Sequence, residues 1–497
     1  MRRLVFVLLI GLTSLGVTSP AAAAGDKEVK SEIIYNILID RFSNGDQSLG
    51  KQTNLDEPHA YHGGDIKGIT SKLDKLKELG FTTIVLSPVM GNAPDGYHGY
   101  WIEDFYKVEQ QFGTMKDLQK LVKEAHDRNI KVVLELVTNY ISPTHPMVDD
   151  PARKDWIKES EVNANQWLNQ TVKLDQSNPE VQAFITDVAD YWIDQAGIDG
   201  YRFHAADQMN QEFLKDLTAH LSQENPNFYL LAGILKPEQY NGEIEKNTNI
   251  QAVENNTLQE AMVSAFVKAG NPVAPIYEAW QNNGKREGLN YLDNKLTERF
   301  TQKFFENGRN PLTTWKLALT FLYTAPGTPM IFQGSEIPMG GDFPESLQLV
   351  QFNASKQDLQ DYYNQIAALR AKFPALQKGS FELLGTSGAM SLFKRSYEGE
   401  SVYVAINNDV KSQVISIDGV ESGKLLKGVI GDNLVRENEN GKYRIGLPRE
   451  TAEVYVIQED TGLNWLFIGM VIGVFVIFVG AIIRLSVKQK KREAGLE

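Results

Sequence analysis

The chain of 497 residues has no cysteine, so disulfides, thiolate metal sites and cysteine nucleophiles are excluded together. Basic charge is also in deficit: 50 Lys+Arg stand against 63 Asp+Glu, a formal net charge of −13. A general nucleic-acid binder neutralises phosphates with a basic stripe, and this composition argues against one. No internal repeat and no low-complexity tract is visible. With 42% hydrophobic and 23% charged residues, the fibrous and wholly disordered classes are excluded as well. The absence of disulfides leaves an extracellular location open, because a chain of this length can bury a core large enough to do without them.

What is present is unevenly distributed. Residues 1–24 open with Arg2 and Arg3, continue through the apolar run Leu4–Ile10 and close on Ala21–Ala24. A charged start, a short apolar run and a small-residue end read as a secretory signal. Trp465–Ile483 carries no charge, and as a helix it would span roughly 28 Å, close to the hydrocarbon thickness of a bilayer. Trp465 marks one boundary, and Arg484, Lys488, Lys490, Lys491 and Arg492 follow the other. The positive-inside rule then predicts a single-pass protein of the cell membrane, its body extracellular and its basic tail, 484–497, cytoplasmic.

Between these ends, β-branched runs alternate with amphipathic segments. The runs are Ile33–Leu38, Thr82–Leu86, Lys131–Val137, Gly200–Phe203, Phe228–Leu231, Asn249–Val253, Leu289–Leu292 and Pro329–Phe332. Helical spacing appears at Ile69, Leu73, Leu76 and Leu79, with Gly80 as a stop, and again at Val181, Phe184, Ile185, Val188 and Trp192. Thr114 stands three residues before Asp117, like a capping box ahead of Leu118, Leu121, Val122 and Ala125. Alternation implies crossovers and a parallel sheet, and eight units predict an α/β fold of the closed (β/α)8 type over residues 25–375. The long connection after Val137 predicts a short inserted domain at about 140–175. Beyond Pro374 the texture changes to short strands between turn residues, predicting a C-terminal antiparallel β-sandwich over 376–459.

Several ordered motifs carry a more specific resemblance. Asp40-Arg41-Phe42-Ser43-Asn44-Gly45-Asp46, His62-Gly63-Gly64-Asp65, Gly99-Tyr100-Trp101 and Pro326-Gly327-Thr328-Pro329 resemble the α-amylase family of glycoside hydrolases. The resemblance runs from about Ile33 to about Ile457. It implies a barrel, a short domain inserted after the third strand and a C-terminal sandwich. It also implies retaining hydrolysis, in which a nucleophilic carboxylate and a carboxylic acid lie about 5–5.5 Å apart.

The positions that the resemblance assigns to this chemistry hold other residues. Gly200-Tyr201-Arg202-Phe203 leads to His204 where the family has the nucleophilic aspartate. Ile234 follows Gly233 where it has the acid, and Leu296 stands in place of the third carboxylate. Glu135-Leu136-Val137-Thr138-Asn139-Tyr140 replaces the family's Asp-x-x-x-Asn-His, and Lys295 replaces a sugar-contacting histidine. The expectation is therefore a pseudo-glycosidase with no intact catalytic residue. Tyr100, Trp101, Arg202 and Asn139 remain candidates for sugar binding.

No cofactor is required by this reading, and calcium is the one to test. The family's structural calcium uses the Asn139 position, where Lys173 and Gln208 now replace expected ligands. Asn44, Asp46 and Asp65 form an alternative oxygen cluster.

Three functional classes follow. The residues favour a non-catalytic surface protein that binds an α-glucan or a cell-envelope protein. An active α-glucan hydrolase or transglycosylase would need relocated carboxylates, of which Asp207, Glu238 and Glu298 lie nearest in sequence. A companion of a membrane protein, like the amylase-like heavy chains of amino-acid transporters, rests on fold analogy.

Overall fold

The computed structural model describes residues 28–49, 53–158, 166–341, 347–460, 462 and 465–495. The signal-like segment 1–24 and part of the expected insertion lie outside the described residues. Eight strands run parallel: β1 (Ile34–Ile37), β2 (Thr83–Leu86), β3 (Lys131–Leu136), β4 (Gly200–Phe203), β5 (Tyr229–Ala232), β6 (Ala252–Val253), β7 (Leu289–Asn290) and β8 (Thr328–Phe332). They pair in the order β6-β5-β4-β3-β2-β1-β8-β7, and a parallel bridge between Glu254 and Leu289 links the two edges into a barrel.

Strand periodicity divides the side chains between two cores. Ile34, Val85, Val133, Tyr229, Leu231, Leu289 and Met330 fill the barrel interior. Their alternates, among them Tyr35, Ile84, Val132 and Leu230, pack outward against the helices. Burial on both faces is why the strands read as continuous apolar runs.

Helix ends follow local chemistry. The Thr114 side chain accepts from the Asp117 amide while Asp117 reaches back to the Thr114 amide, starting helix Met115–Asp127. Asn178 and Pro179 start Pro179–Ala196, and Gly197 ends it with φ 65°. After β3 the chain makes a small antiparallel sheet of Tyr140–Ile141, Val172–Leu174 and Ile157–Lys158.

The C-terminal domain is antiparallel. It comprises β9 (Ser380–Ser387), β10 (Met390–Tyr397), β11 (Glu400–Asn407), β12 (Gln413–Ile417), β13 (Lys424–Gly428), β14 (Leu434–Arg436), β15 (Tyr443–Leu447) and β16 (Thr451–Glu459). Six pair in the order β9-β10-β11-β16-β13-β14, and β12 pairs with β15. Buried arginines join this domain to the barrel: Arg309 donates to the Phe266 carbonyl at 2.6 Å and pairs with Glu450 at 2.8 Å. Trp465–Glu493 forms one helix. Its segment from Ile468, of hydropathy 2.6, is long and apolar enough to cross a membrane by length and composition.

Candidate functional site

The C-terminal ends of the barrel strands deliver six side chains to one point: Glu135 from β3, Arg202 and His204 from β4 and its end, Glu254 just after β6, Lys295 after β7, and Tyr100 from the loop before the insertion. Glu135, fully buried, is the hub. Its Oε1 accepts from Tyr100 Oη at 2.7 Å and His204 Nδ1 at 3.0 Å, and lies 3.0 Å from an Arg202 terminal nitrogen. Its Oε2 accepts from Lys295 Nζ. The other Arg202 terminal nitrogen donates to Glu254 at 2.5 Å. A side chain at Gly233 would put Cβ 2.3 Å from that guanidinium, so any larger residue would have to displace Arg202 from its pairs.

Two carboxylates and two cations thus balance in a buried site. Burial opposes ionisation of Glu135, but Lys295, Arg202 and His204 outweigh it and hold the carboxyl well below the usual carboxylate range. Burial lowers His204, only partly offset by Glu135, so the imidazole is neutral at pH 7. Because an ionised carboxylate only accepts, the His204 proton sits on Nδ1, and Nε2 is left as a buried acceptor without a partner. Ile234 and Leu296 stand over this cluster. Together with Asn36, His204 and Lys295 they bound a cavity of about 30 Å³, room for a water or two. Its one lining carboxylate is Glu254.

The sequence candidates fare unequally. His204, Ile234, Leu296 and Arg202 meet at this cavity. Tyr100 does not offer an open stacking face: it is fully buried, because its hydroxyl is drawn inward to Glu135. Asn139 is also buried and turned away from the mouth, donating to the Ala205 carbonyl at 3.0 Å. Asp207 accepts the amides of Leu235 and Lys236 at 2.8 and 3.0 Å, Glu298 pairs with Lys303 at 3.3 Å, and Glu238 is exposed. None of these three lines the cavity. Sequence reading missed Glu254 and the ion-pairing role of Lys295. Glu254 immediately follows an expected strand, at the strand end where barrel chemistry resides.

Trp101 lines a different space, a pocket of about 400 Å³ with Tyr97, His98 and Trp167. The Tyr100 amide donates to His98 Nδ1 at 3.1 Å, which places the ring proton on Nε2, and that buried donor has no partner. Another cavity, of about 820 Å³, opens at the opposite end of the barrel. There Glu32 accepts from Tyr229 and Thr83 at 2.7 and 2.8 Å, and His126 pairs with Asp199 at 2.8 Å. These contacts join strand starts, so this end reads as stabilising the barrel.

At both candidate calcium positions the oxygens already accept from donors of the protein. Asn139 Oδ1 accepts from Gln176 Nε2 at 2.8 Å, an amide donor where a cation would need open oxygens. Asp65 accepts three backbone amides, those of Gly45, Asp46 and Gly68, at 2.7–2.8 Å, and Asp46 pairs with the Lys67 ammonium at 2.6 Å. In this structure Asp65 of the Asn44-Asp46-Asp65 cluster serves as a helix cap and Asp46 as one half of an ion pair. No group of three metal-ligating side chains occurs among the described residues.

Comparison with known proteins agrees with this geometry at the level of family. The α-amylase catalytic domain matches residues 36–171 and 153–372, and the α-amylase C-terminal domain matches 379–455. A β/α-amylase of Paenibacillus polymyxa is 31% identical over 85% of this chain, which spans 37% of that protein's length. A cyclomaltodextrinase of Thermoanaerobacter pseudethanolicus is 28% identical over 78% of this chain and 72% of its own length. Among solved structures, an Anoxybacillus α-amylase superposes with a TM-score of 0.83 at 40% identity, covering 88% of this chain and all of that one. An α-amylase of Geobacillus thermoleovorans in complex with acarbose gives 0.82 at 36% identity, again over 88% of this chain and all of its own. The chain belongs to the α-amylase family.

Proposed function

We propose that this chain binds α-glucans at its barrel mouth without cleaving them. One observation carries the reading: the cavity at His204, Ile234 and Leu296 is lined by a single carboxylate, Glu254, already committed to Arg202. Glycoside hydrolysis needs two carboxyl groups across the bond, about 5–5.5 Å apart for retention and about 6.5–9.5 Å for inversion. Isoleucine at 234 has no proton to give, and general acid catalysis alone is worth about 10²–10⁴-fold. The half-buried Trp101, in the wall of the neighbouring pocket, supplies aromatic surface of the kind glucan binding asks for.

A second reading, hydrolysis by unorthodox residues, is favoured by what the relatives are called, cyclomaltodextrinases and amylases. One assay separates the two. The full chain, incubated with maltooligosaccharides from about pH 4 to 8, should release no reducing sugar above a buffer control. Reproducible release that disappears in Glu254→Gln would replace the first reading with the second.

We further propose that Trp465–Ile483 spans the cell membrane, with the body outside and 484–497 inside. The uncharged run and the basic residues after it support this orientation. External protease on intact cells should then release the body, and protection until lysis would reverse the topology.

A further inference from the structure

Helix Pro311–Thr324 descends the barrel wall from the mouth to the start of β8, and the sheet of the C-terminal domain packs along it. At its upper end Arg309 pairs with Glu450, just before β16, at 2.8 Å. At its lower end the Thr324 carbonyl accepts from Arg395, whose guanidinium also donates to the Gly379 carbonyl at 3.0 Å, just before β9. Strand β16 therefore runs from the level of the mouth to the level of the barrel's strand starts. Register fixes its exit: Ser380 pairs with Ser396, Ser396 with Ser401, and the next residue, Val402, with Val456. The chain passes the level of Ser380 just after Val456 and leaves the domain at Asp460, on the strand-start side. Glu28, ahead of β1, lies at the same end, 3.4 Å from Lys378.

Only five residue steps separate Asp460 from Trp465, at most about 17 Å when fully extended. The barrel wall is taller: helix Pro179–Ala196, which follows it from the mouth to the start of β4, has 18 residues and spans about 27 Å. With the mouth against a membrane, Asp460 would stand off beyond the reach of the linker.

We propose that the protein stands on the membrane by the strand-start end of its barrel, with the 820 Å³ pocket against the phospholipid headgroups and the mouth turned away. This rests on the membrane-spanning reading above and deepens it. The charges suit such a surface. In a chain of net charge −13, this pocket sets Lys77, Lys131, Lys378 and His126 against Glu28, Glu32 and Asp199. Lys131, Lys378 and His126 pair with those carboxylates, at 3.4, 3.4 and 2.8 Å. Exposed Lys77 has no ion pair among the described residues, which leaves its ammonium for a lipid phosphate.

Because the chain has no cysteine, a single introduced thiol can be labelled cleanly. The full chain is reconstituted into vesicles of phosphatidylethanolamine and phosphatidylglycerol. A fluorophore is then attached from outside at Ala371→Cys, an exposed position of the pocket wall, or at Glu238→Cys, exposed at the mouth. A nitroxide carried on the lipid headgroup quenches only at near-contact range. Quenching at position 371 should be at least twofold that at 238, and Lys77→Glu should reduce it. Equal quenching at the two positions, or more at 238, would overturn this orientation and leave the membrane span standing. Unchanged quenching at 371 in Lys77→Glu would overturn Lys77 as the lipid contact. If the full chain failed to float with the vesicles after an alkaline wash, the membrane-spanning reading and this one would both fall.

Discussion

Two regions of the same barrel mouth, separated by one tyrosine ring, have opposite characters. In the centre, Glu135, Arg202, His204, Glu254 and Lys295 are each at most 5% exposed, and every formal charge has a partner. In the pocket beside it Tyr97, Trp101 and Trp167 share the walls with Glu57 and Asp95, and the buried His98 Nε2–H has no partner. Burying charge is costly unless it is paired and hydrogen-bonded, so the centre can persist only by satisfying itself. What remains without a hydrogen-bond partner there is His204 Nε2 and Arg202 Nε. A pocket wall that buries one uncharged donor bears a smaller penalty.

The largest effect should come from breaking the centre. Glu135→Leu leaves Arg202 with Glu254 alone and strips Lys295 of its carboxylate. It should cost about 3–5 kcal/mol of stability in urea unfolding, the range for a buried pair deprived of one partner. Lys295→Met should cost less, since Glu135 keeps Arg202, Tyr100 and His204. The double variant should cost clearly less than the sum of the singles, because removing both ends leaves no orphaned charge. Additive singles would mean that the centre is not one electrostatic unit. Trp101→Ala, in the half-buried pocket wall, should cost about 1 kcal/mol or less.

The same contrast has a pH signature. His204 and His98 are both lowered by burial, His98 well below its ordinary 6.5, and His62 is lowered for the same first reason. Folded, these imidazoles stay neutral where the unfolded chain takes up protons near pH 6.5. Stability is therefore fully present above the unfolded value and is lost as pH falls through 6.5 toward the lower folded values. Glu135 adds its own loss only below about 4.5, where the unfolded carboxyl protonates. Melting temperature should fall between pH 7.5 and 5, and His204→Gln should flatten part of that slope. A flat profile in the parent chain would show that these rings are not held neutral.

Much of the barrel was legible because its strands are buried on both faces. The eight expected runs coincide with the eight strands, and Thr114 caps its helix as its spacing implied. Strands β6 and β7 are shorter than their runs: Asn249–Val253 begins three residues before its ladder, and Leu289–Leu292 continues apolar past Asn290, where its ladder ends. In the C-terminal domain the turn-rich texture gives the antiparallel class without bounding each strand, although in β15 Tyr443, Ile445 and Leu447 alternate with Arg444 and Gly446 as a half-buried strand should. At the site, the residues replacing the expected carboxylates were visible one by one. Their mutual pairing was not, because it depends on which ends of β3, β4, β6 and β7 converge. Tyr100 shows the limit most clearly: the motif that suggested a sugar platform belongs to a side chain whose hydroxyl is held inside.

A smaller effect concerns the place where the family's calcium would be. Gln176 Nε2 donates to Asn139 Oδ1 at 2.8 Å and to the Thr138 carbonyl at 2.9 Å, while its Oε1 accepts the Asn210 amide at 2.8 Å. One neutral amide thus ties the end of β3 to the start of helix Gln211–Glu224, a join that a cation would otherwise make through oxygens. Gln176→Ala should cost about 1–3 kcal/mol, the price of leaving these buried groups unpaired.

The smallest expected effect is that of removing metal. Chelation destabilises a protein only by the binding free energy it abolishes. At Asn139 the oxygen already accepts from an amide, and Lys173 on the neighbouring strand Val172–Leu174 brings positive charge into that strand pair. At Asp65 both oxygens accept backbone amides, and at Asp46 the Lys67 ammonium already supplies the counter-charge. A divalent ion would have to displace that ammonium and several hydrogen bonds before gaining any ligand. EDTA should therefore leave the melting temperature of the parent chain unchanged within error. A downward shift of several degrees, restored by calcium, would identify a cation site in the parent chain. If the shift persisted in Lys67→Gln but vanished in Gln176→Ala, the hydrogen bonds around Asn139 would be the arrangement to redraw.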